Sequence, residues 1–323
     1  MRRWPFSLLL LLVCVGDYAG PGARPMLGRD TRVTATAIPL NPDDPAQVRV
    51  GALRYVQGWR LRGRDRAFGG FSAMAVNGDR FRFISDAGGV VDFRLGAGGA
   101  VSQVRFGDLK DGPGRGYEKR DRDSEAFVFD PVSGKSWVAF ERWNEIWRYG
   151  PDLLAGEASA RPGAMLDWPD NSGAEAMVRL RSGAFLVFSE GGRGPRGSTA
   201  ALLFPGDPTV DRRPPVLFGY QRPAGYRITD AAELPDGRLV ALYRRFGFPD
   251  GFSAKLAILD PRAIRHGAVL TEGEIATLAR PLNVDNFEAI AVTRESGRTL
   301  LWIASDDNLN GIQRSLLMQF ALD

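Results

Sequence analysis

The chain has 323 residues, 44% hydrophobic and 25% charged, a balance that excludes a disordered or low-complexity protein. Its net charge is only +4 and no run of five basic residues occurs, so composition gives no ground for a nucleic-acid partner. The lone cysteine, Cys14, rules out an intrachain disulfide, and 39 glycines with 21 prolines predict many turns between short elements.

The chain opens with "MRRWPFSLLLLLVCVGDYAG", two arginines followed by the apolar run Leu8 to Val15. A basic start and a short apolar segment predict a secretory signal over residues 1–23, too short for a membrane span. Val13 before Cys14 is a poor match to a lipid-attachment site, so lipoprotein anchoring is not expected. No later apolar run approaches the ~20 residues needed to cross a bilayer. The expectation is an exported, soluble, monomeric protein, periplasmic or extracellular.

Residues 24–46, with Pro-rich "IPLNPDDP", read as an extended lead-in, and 47–323 as one domain. "QVRVGALRYVQGWRL" (Gln47 to Leu61) is a strand in search of a partner. A repeat follows. "FSAMAVNGDRFRFISDAGG", "SEAFVFDPVSGKSWVAFERWN", "AEAMVRLRSGAFLVFSEGG", "TDAAELPDGRLVALYRRF" and "NFEAIAVTRESGRTLLWIASDDN" each hold a strand, a Gly turn and a second strand. Aligned on Ser72, Glu125, Glu175, Asp230 and Glu288, they are spaced by 53, 50, 55 and 58 residues. A period of about 50 with four strands per repeat predicts an all-β fold, a β-propeller.

The outer strands are assigned to "VVDFRL" and "AVSQVRF", "EIWRYG" and "AMLDW", "AALLF" and "PVLFGY", and "AKLAILD" and "EIATLAR". After the fifth hairpin only "SLLMQFALD" remains, so that blade lacks an outer strand. The N-terminal strand is predicted to complete it and close the circle. Five four-stranded blades are expected, with six as the alternative.

Within an antiparallel hairpin, the start of the first strand and the end of the second share one end. Glu125 therefore meets Glu141, Glu175 meets Glu190, and Glu288 meets Asp306, while Asp86 joins Ser72 and Asp230 faces Arg244 or Arg245. If the first strands are innermost, the acids gather at one mouth of the central channel. Clustered carboxylates need protons, arginines or a cation to offset their repulsion. An all-oxygen set suits Ca²⁺ or Mg²⁺ rather than zinc. Asp86, Glu125, Glu175, Asp230 and Glu288 are the candidate ligands, and Glu141, Glu190 and Asp306 candidate general bases or further ligands. Arg142, Arg244 and Arg245 would stabilise developing negative charge.

Other readings compete at single positions. Acids at inner-strand ends also brace blades, Asp306-Asp307-Asn308 can be a self-bonded turn, and the "EGGRGPRG" amides could cradle an anion. Trp137, Trp143, Trp147 and Trp302 are expected in the core. His266 is the only histidine and reads as a surface residue, which argues against histidine-phosphate chemistry and multi-His metal sites. No G-x-S-x-G elbow, P-loop or dinucleotide fingerprint occurs, and no organic cofactor is expected.

"FGGFSAMAV", "SDAGG", "KRDRDSEAF", "AFERWNEIWRY", "NVDNFEAIAV" and "SLLMQF", in that order, resemble the bacterial family called "esterase-like activity of phytase". The resemblance covers approximately Val50 to Asp323. It implies export and hydrolysis of a phosphoester or ester at Asp86, Glu125, Glu141, Glu175, Glu190, Asp230, Glu288 and Asp306. The expected substrate is a small anionic ester or phosphorylated compound. A calcium-dependent sugar-lactone hydrolase and a non-catalytic ligand-binding propeller are the alternatives.

Overall fold

Turn chemistry sets the repeating unit. Asn77 pairs with Arg80 across the two-residue turn Gly78-Asp79, where Gly78 takes φ +61°. Glu295 pairs with Arg298 across Ser296-Gly297, at φ +48° and +81°. Positive φ at these positions gives the turn the same twist as the strands it joins. A computed structural model describes Arg24 and residues 27–322. The expected export signal and Cys14 lie outside the described residues.

Five sheets follow in chain order. Blade 1 runs Phe71–Asn77, Arg80–Ser85, Gly89–Leu95 and Val101–Asp108 from the inside outward. Blade 2 runs Ser124–Phe129, Ser136–Phe140, Glu145–Tyr149 and Gly156–Ala160. Blade 3 runs Ala174–Arg179, Phe185–Arg193, Thr199–Phe204 and Val216–Tyr220, and Val269–Leu270 adds a short parallel pairing at its edge. Blade 4 runs Arg227–Glu233, Leu239–Gly247, Gly251–Leu259 and Gly273–Leu278. Blade 5 runs Asn286–Glu295, Arg298–Asp306, Leu316–Leu322 and finally Leu53–Gly63. The five inner strands touch in order around the ring, and the last touches the first. The protein is a five-bladed β-propeller.

Closure is as expected: Leu53–Gly63 from the N-terminal side pairs antiparallel with Leu316–Leu322. It goes one strand further, because Val33–Ala37, inside the stretch read as a lead-in, pairs with the closing strand. One outer strand differs from the sequence reading. In blade 2 the edge strand is Gly156–Ala160, not "AMLDW"; Met165 and Trp168 instead plug the blade 2–3 core from a turn. An edge strand facing water needs no apolar run, so hydrophobicity pointed to the wrong segment.

Five apolar clusters fill the seams between neighbouring blades. The seam that closes the circle is aromatic. Trp59 of the closing strand stacks on Trp302, ring centres 6.3 Å apart, and Phe81 of blade 1 meets Trp302 edge-on at 4.9 Å. Trp137 and Trp302 are buried, and Trp143 and Trp147 pack half-buried against the blade 1–2 seam. His266 is exposed. Among the described residues no helix is long and apolar enough to cross a membrane.

Candidate functional site

The same irregularity recurs in all five inner strands. Pairing slips by one residue near the strand start, leaving Ser72, Glu125, Glu175, Thr229 and Glu288 as the extra residue of a bulge. A bulge re-aims the side chain it carries and bends the strand away from its partner. On the second strands, the residue just past the bulge's partner is Asp86, Glu141, Glu190, Arg244 and Asp306 in blades 1 to 5. Two residues per blade are thus delivered to one end of the channel.

Nine of these ten, all but Thr229, line one cavity of about 90 Å³. Asp86, Glu125, Glu141, Glu175, Glu190, Glu288 and Asp306 converge there, as the hairpin pairing predicts, and Asp123 joins them. Lys119, Arg227 and Arg244 supply the positive charge. Eight acids against three cations leave 3 − 8 = −5 if every group is ionised. The cations are already engaged: Lys119 pairs with Asp86, Arg227 with Glu190 at 2.6 Å, and Arg244 with Glu288 at 3.2 Å.

The other five acids, Asp123, Glu125, Glu141, Glu175 and Asp306, take no part in these three pairs. The Asp123 carboxyl faces that of Glu125, and the Glu141 carboxyl that of Glu175. Two buried carboxylates side by side repel, which favours a proton on one of them. Burial, reinforced by the neighbouring acids, pushes Glu125, Glu141, Glu175 and Asp306 well above the usual carboxylate range. The same causes push Asp123 up to about 7. Asp86 is also raised by burial, though Lys119 opposes it. Burial pulls the Lys119 ammonium down, but Asp86 more than offsets that and its pKa is raised.

Oxygens of Asp123, Glu125 and Glu141 lie within 4.8 Å of one another, a spacing that could hold a metal ion. Asp123 is 1% exposed and its Oδ2 is buried without a hydrogen-bond partner. Such an atom normally costs ~1–3 kcal/mol, which a cation would offset. The donors are all carboxylate oxygens, as a hard ion prefers. Gly173 N–H donates to Glu141 Oε1 at 3.0 Å, and a Cβ on Gly173 would stand 2.9 Å from the Glu141 carbonyl oxygen. Only glycine lets the blade 3 entry loop approach this acid so closely.

Three of the predicted site residues lie elsewhere. Asp230 is one position past the bulge, which falls on Thr229, and does not line the cavity. Its carboxylate accepts hydrogen bonds from Ala231 N–H and, across the seam, from Ile290 N–H, both at 2.8 Å. It braces blades 4 and 5. Arg245 alternates to the other face of its strand, with its guanidinium 6.0 Å from the Tyr226 ring centre. Arg142 stands outside the cavity and donates to Asn171 Oδ1 at 3.3 Å.

Two bulges carry hydroxyls, and these are structural links: Ser72 Oγ donates to Ser124 O at 2.5 Å and Thr229 Oγ1 to Phe287 O at 3.2 Å. Asp306 both lines the cavity and accepts from Asn308 N–H at 2.7 Å. The "EGGRGPRG" amides form no cradle. Gly191, Gly192 and Gly194 N–H groups are spent on Ser172 O, Ser189 Oγ and Ser198 O.

Asp123 and Arg227 escaped the sequence reading, and Lys119 was read only as one of the basic residues of the 118–127 segment. Asp123 and Arg227 each lie two residues before a bulge, the spacing that returns a side chain to the same face of a strand. That offset was a usable signal. Lys119 enters on a short 3₁₀ turn, Lys119–Arg122, whose position no strand register predicts.

Comparison with known proteins adds the family. A match to the phytase-like family, described as "Esterase-like activity of phytase", covers residues 66–309, most of the chain. The chain belongs to the phytase-like family. Comparison with curated proteins gives no match. Among solved structures it is similar to glutaminyl cyclase from Myxococcus xanthus, with 10% identity over 84% of this chain and 97% of that one, TM-score 0.49. A putative 6-phosphogluconolactonase from Bacteroides uniformis gives 13% identity, 81% and 79% coverage, and TM-score 0.41. The N-terminal domain of Nup159 gives 9% identity and TM-score 0.34, over 72% of this chain; the chain spans just 56% of that domain. Likeness at this level carries no argument about activity.

Proposed function

We propose that this phytase-like propeller is an exported hydrolase of phosphoesters or related esters, acting at the acidic mouth with a divalent cation. The observation that carries this reading is the Asp123–Glu125–Glu141 cluster, with its buried, unpartnered oxygen, inside a cavity of eight acids and three cations. Asp123, Glu125 and Glu141 would hold Ca²⁺ or Mg²⁺, with Glu175 adjoining. A bound cation there would polarise the ester and make a nearby water easier to deprotonate.

The chain's own groups divide the remaining work. Arg227 and Arg244 stand together on blade 4, the one blade without an acid at its two mouth positions, and offer the edge to which an anionic ester would turn. Arg244 would stabilise charge that develops in the transition state. Glu190, ion-paired to Arg227, and Asp306 present carboxylate oxygens to the same cavity and are the candidate proton acceptors. At about 90 Å³ the cavity accepts the head of a small ester; the rest of the substrate would lie outside. A monomer released from its amino-terminal signal outside the cytoplasm completes the reading, and cell fractionation checks that part.

Turnover of p-nitrophenyl phosphate, bis(p-nitrophenyl) phosphate and a sugar lactone tests the activity, each with added Ca²⁺ or Mg²⁺ and with EDTA. Phosphoester hydrolysis that EDTA abolishes and Ca²⁺ or Mg²⁺ restores is expected. Removing a transition-state charge donor costs ~10²–10³ in rate, so Arg244→Gln is expected to lose that much. Lactone hydrolysis alone would replace phosphoester with lactone chemistry. Cation binding without turnover of any substrate would reduce the mouth to a binding site.

A further inference from the structure

The seam between blades 1 and 2 is closely packed and apolar in its mouth-side half. There Ala73, Ile84 and Val90 of blade 1 pack on Phe127, Val138 and Phe140 of blade 2. Side chains two residues apart share a sheet face, so the same face continues downward as Arg82 and Arg80 below Ile84, and Asp92 and Arg94 below Val90. Arg105 stands directly opposite Asp92 on the outer strand. Blade seams are built from apolar faces; here half of one carries four arginines. The seam does not close there. It leaves a cavity of about 310 Å³ at the end of the wheel away from the mouth, beside the Asn77–Arg80 hairpin turn. That volume falls within the range of small-molecule sites, ~300–1,000 Å³.

The arginines are not equivalent. Arg82 is fixed: its Nε and Nη2 grip Asp92 at 2.7 and 2.9 Å, and its guanidinium lies 5.9 Å from the centre of the Phe129 ring. Arg94 is held by Asp79 and by Gln103 Oε1. Arg80 and Arg105 are exposed, and among the described residues neither makes an ion pair or a side-chain hydrogen bond. Four arginines against Asp92 give the lining 4 − 1 = +3. Ala75, Phe129 and Pro151 add an apolar wall.

We propose that this groove between blades 1 and 2 is a second binding site, for a small organic anion. Arg80 and Arg105 would take the anionic head, phosphate or carboxylate, while the apolar body lies against Phe129 and Pro151. Guanidinium forks suit both heads. The site is separate from the mouth in place and in charge, and it stands whether or not the mouth is catalytic.

Calorimetric titration of the protein in EDTA with phenyl phosphate and with inorganic phosphate tests it. Without a cation, the acid-rich mouth disfavours anions, so uptake reports the groove. One saturable site is expected for phenyl phosphate, with inorganic phosphate binding more weakly for want of the apolar contact. A charge-assisted hydrogen bond is worth ~1.5–3 kcal/mol, so Arg80→Gln/Arg105→Gln is expected to weaken phenyl phosphate roughly tenfold or more. Both side chains are exposed and neither touches the mouth, so hydrolysis at the mouth and unfolding are expected to be unchanged in that variant. Absence of saturable binding, equal affinity for the two probes, or full affinity in the double variant would overturn the proposal.

Discussion

Replacing Glu125 by glutamine is expected to move stability in opposite directions with and without a divalent cation. In EDTA near neutral pH the glutamate is a liability, because it is buried among Asp123, Glu141, Asp86 and Glu288. Glutamine keeps its shape and removes one ionisable group, so the metal-free variant is expected to be more stable by about 1–3 kcal/mol. With Ca²⁺ the order reverses. A ligand present at a hundred times its Kd stabilises a protein by about 2.7 kcal/mol, and the variant is expected to forfeit most of that gain.

The pH dependence follows from the same groups. Glu125, Glu141, Glu175 and Asp306 have folded-state values raised above the ordinary range, so the folded chain holds protons that the unfolded chain has released. Stability in EDTA is therefore expected to fall as pH rises, by ~1.4 kcal/mol per pH unit for each extra proton held. For Asp123 the window opens at its ordinary value, 3.8, and closes at about 7. Urea unfolding of both proteins across that window, with Ca²⁺ and with EDTA, measures the crossing. Parallel curves for the two proteins would mean that Glu125 neither carries strain nor holds an ion.

Cutting Trp59 to alanine is expected to cost the most stability of any single core change. Its ring is buried in the seam where the wheel closes, stacked on Trp302, which also receives Phe81 edge-on. Removing a buried aromatic ring costs ~3–5 kcal/mol, from lost transfer energy and the cavity left behind. At ~2–4 °C per kcal/mol for a domain approaching this size, the midpoint is expected to drop by about 10 °C. The strand at stake comes from the opposite end of the chain, so weakening it opens a ring rather than fraying an edge. Thermal unfolding with proteolysis of the 27–63 segment checks this: early cleavage there in the variant is expected. A drop no larger than that of an exposed substitution would show that the closing strand is held by backbone pairing alone.

Much of this architecture was legible because hairpins announce themselves locally. Gly78-Asp79 and Ser296-Gly297 fix turns, and alternating apolar residues fix which side of each strand is buried. Five such units at a near-constant spacing leave a propeller as the natural solution. The convergence of Glu125, Glu141, Glu175, Glu190, Glu288 and Asp306 followed from strand direction once the first strands were placed innermost.

What escaped was set by single-residue geometry. Aligning the fourth repeat on Asp230 favoured the acid, whereas the bulge falls on Thr229, and one position along a strand reverses the side. The same alternation separates Arg244, in the mouth, from Arg245, beside Tyr226. Asp123 precedes Ser124, the first paired residue of its strand, so the hairpin argument did not reach it. The extra strand Val33–Ala37 had no repeat to betray it, since it pairs outside the five-fold pattern.

Proton release on calcium binding tests the central claim most directly, since a metal takes carboxylates only in their deprotonated form. Calorimetric titration with Ca²⁺ at pH 7, in two buffers of different ionisation enthalpy, counts the protons that leave. The mouth described here is expected to release more than one proton for each Ca²⁺ bound, and fewer in Glu125→Gln. Calcium uptake that frees no proton, or no uptake, would mean that these carboxyls do not act as one shared site.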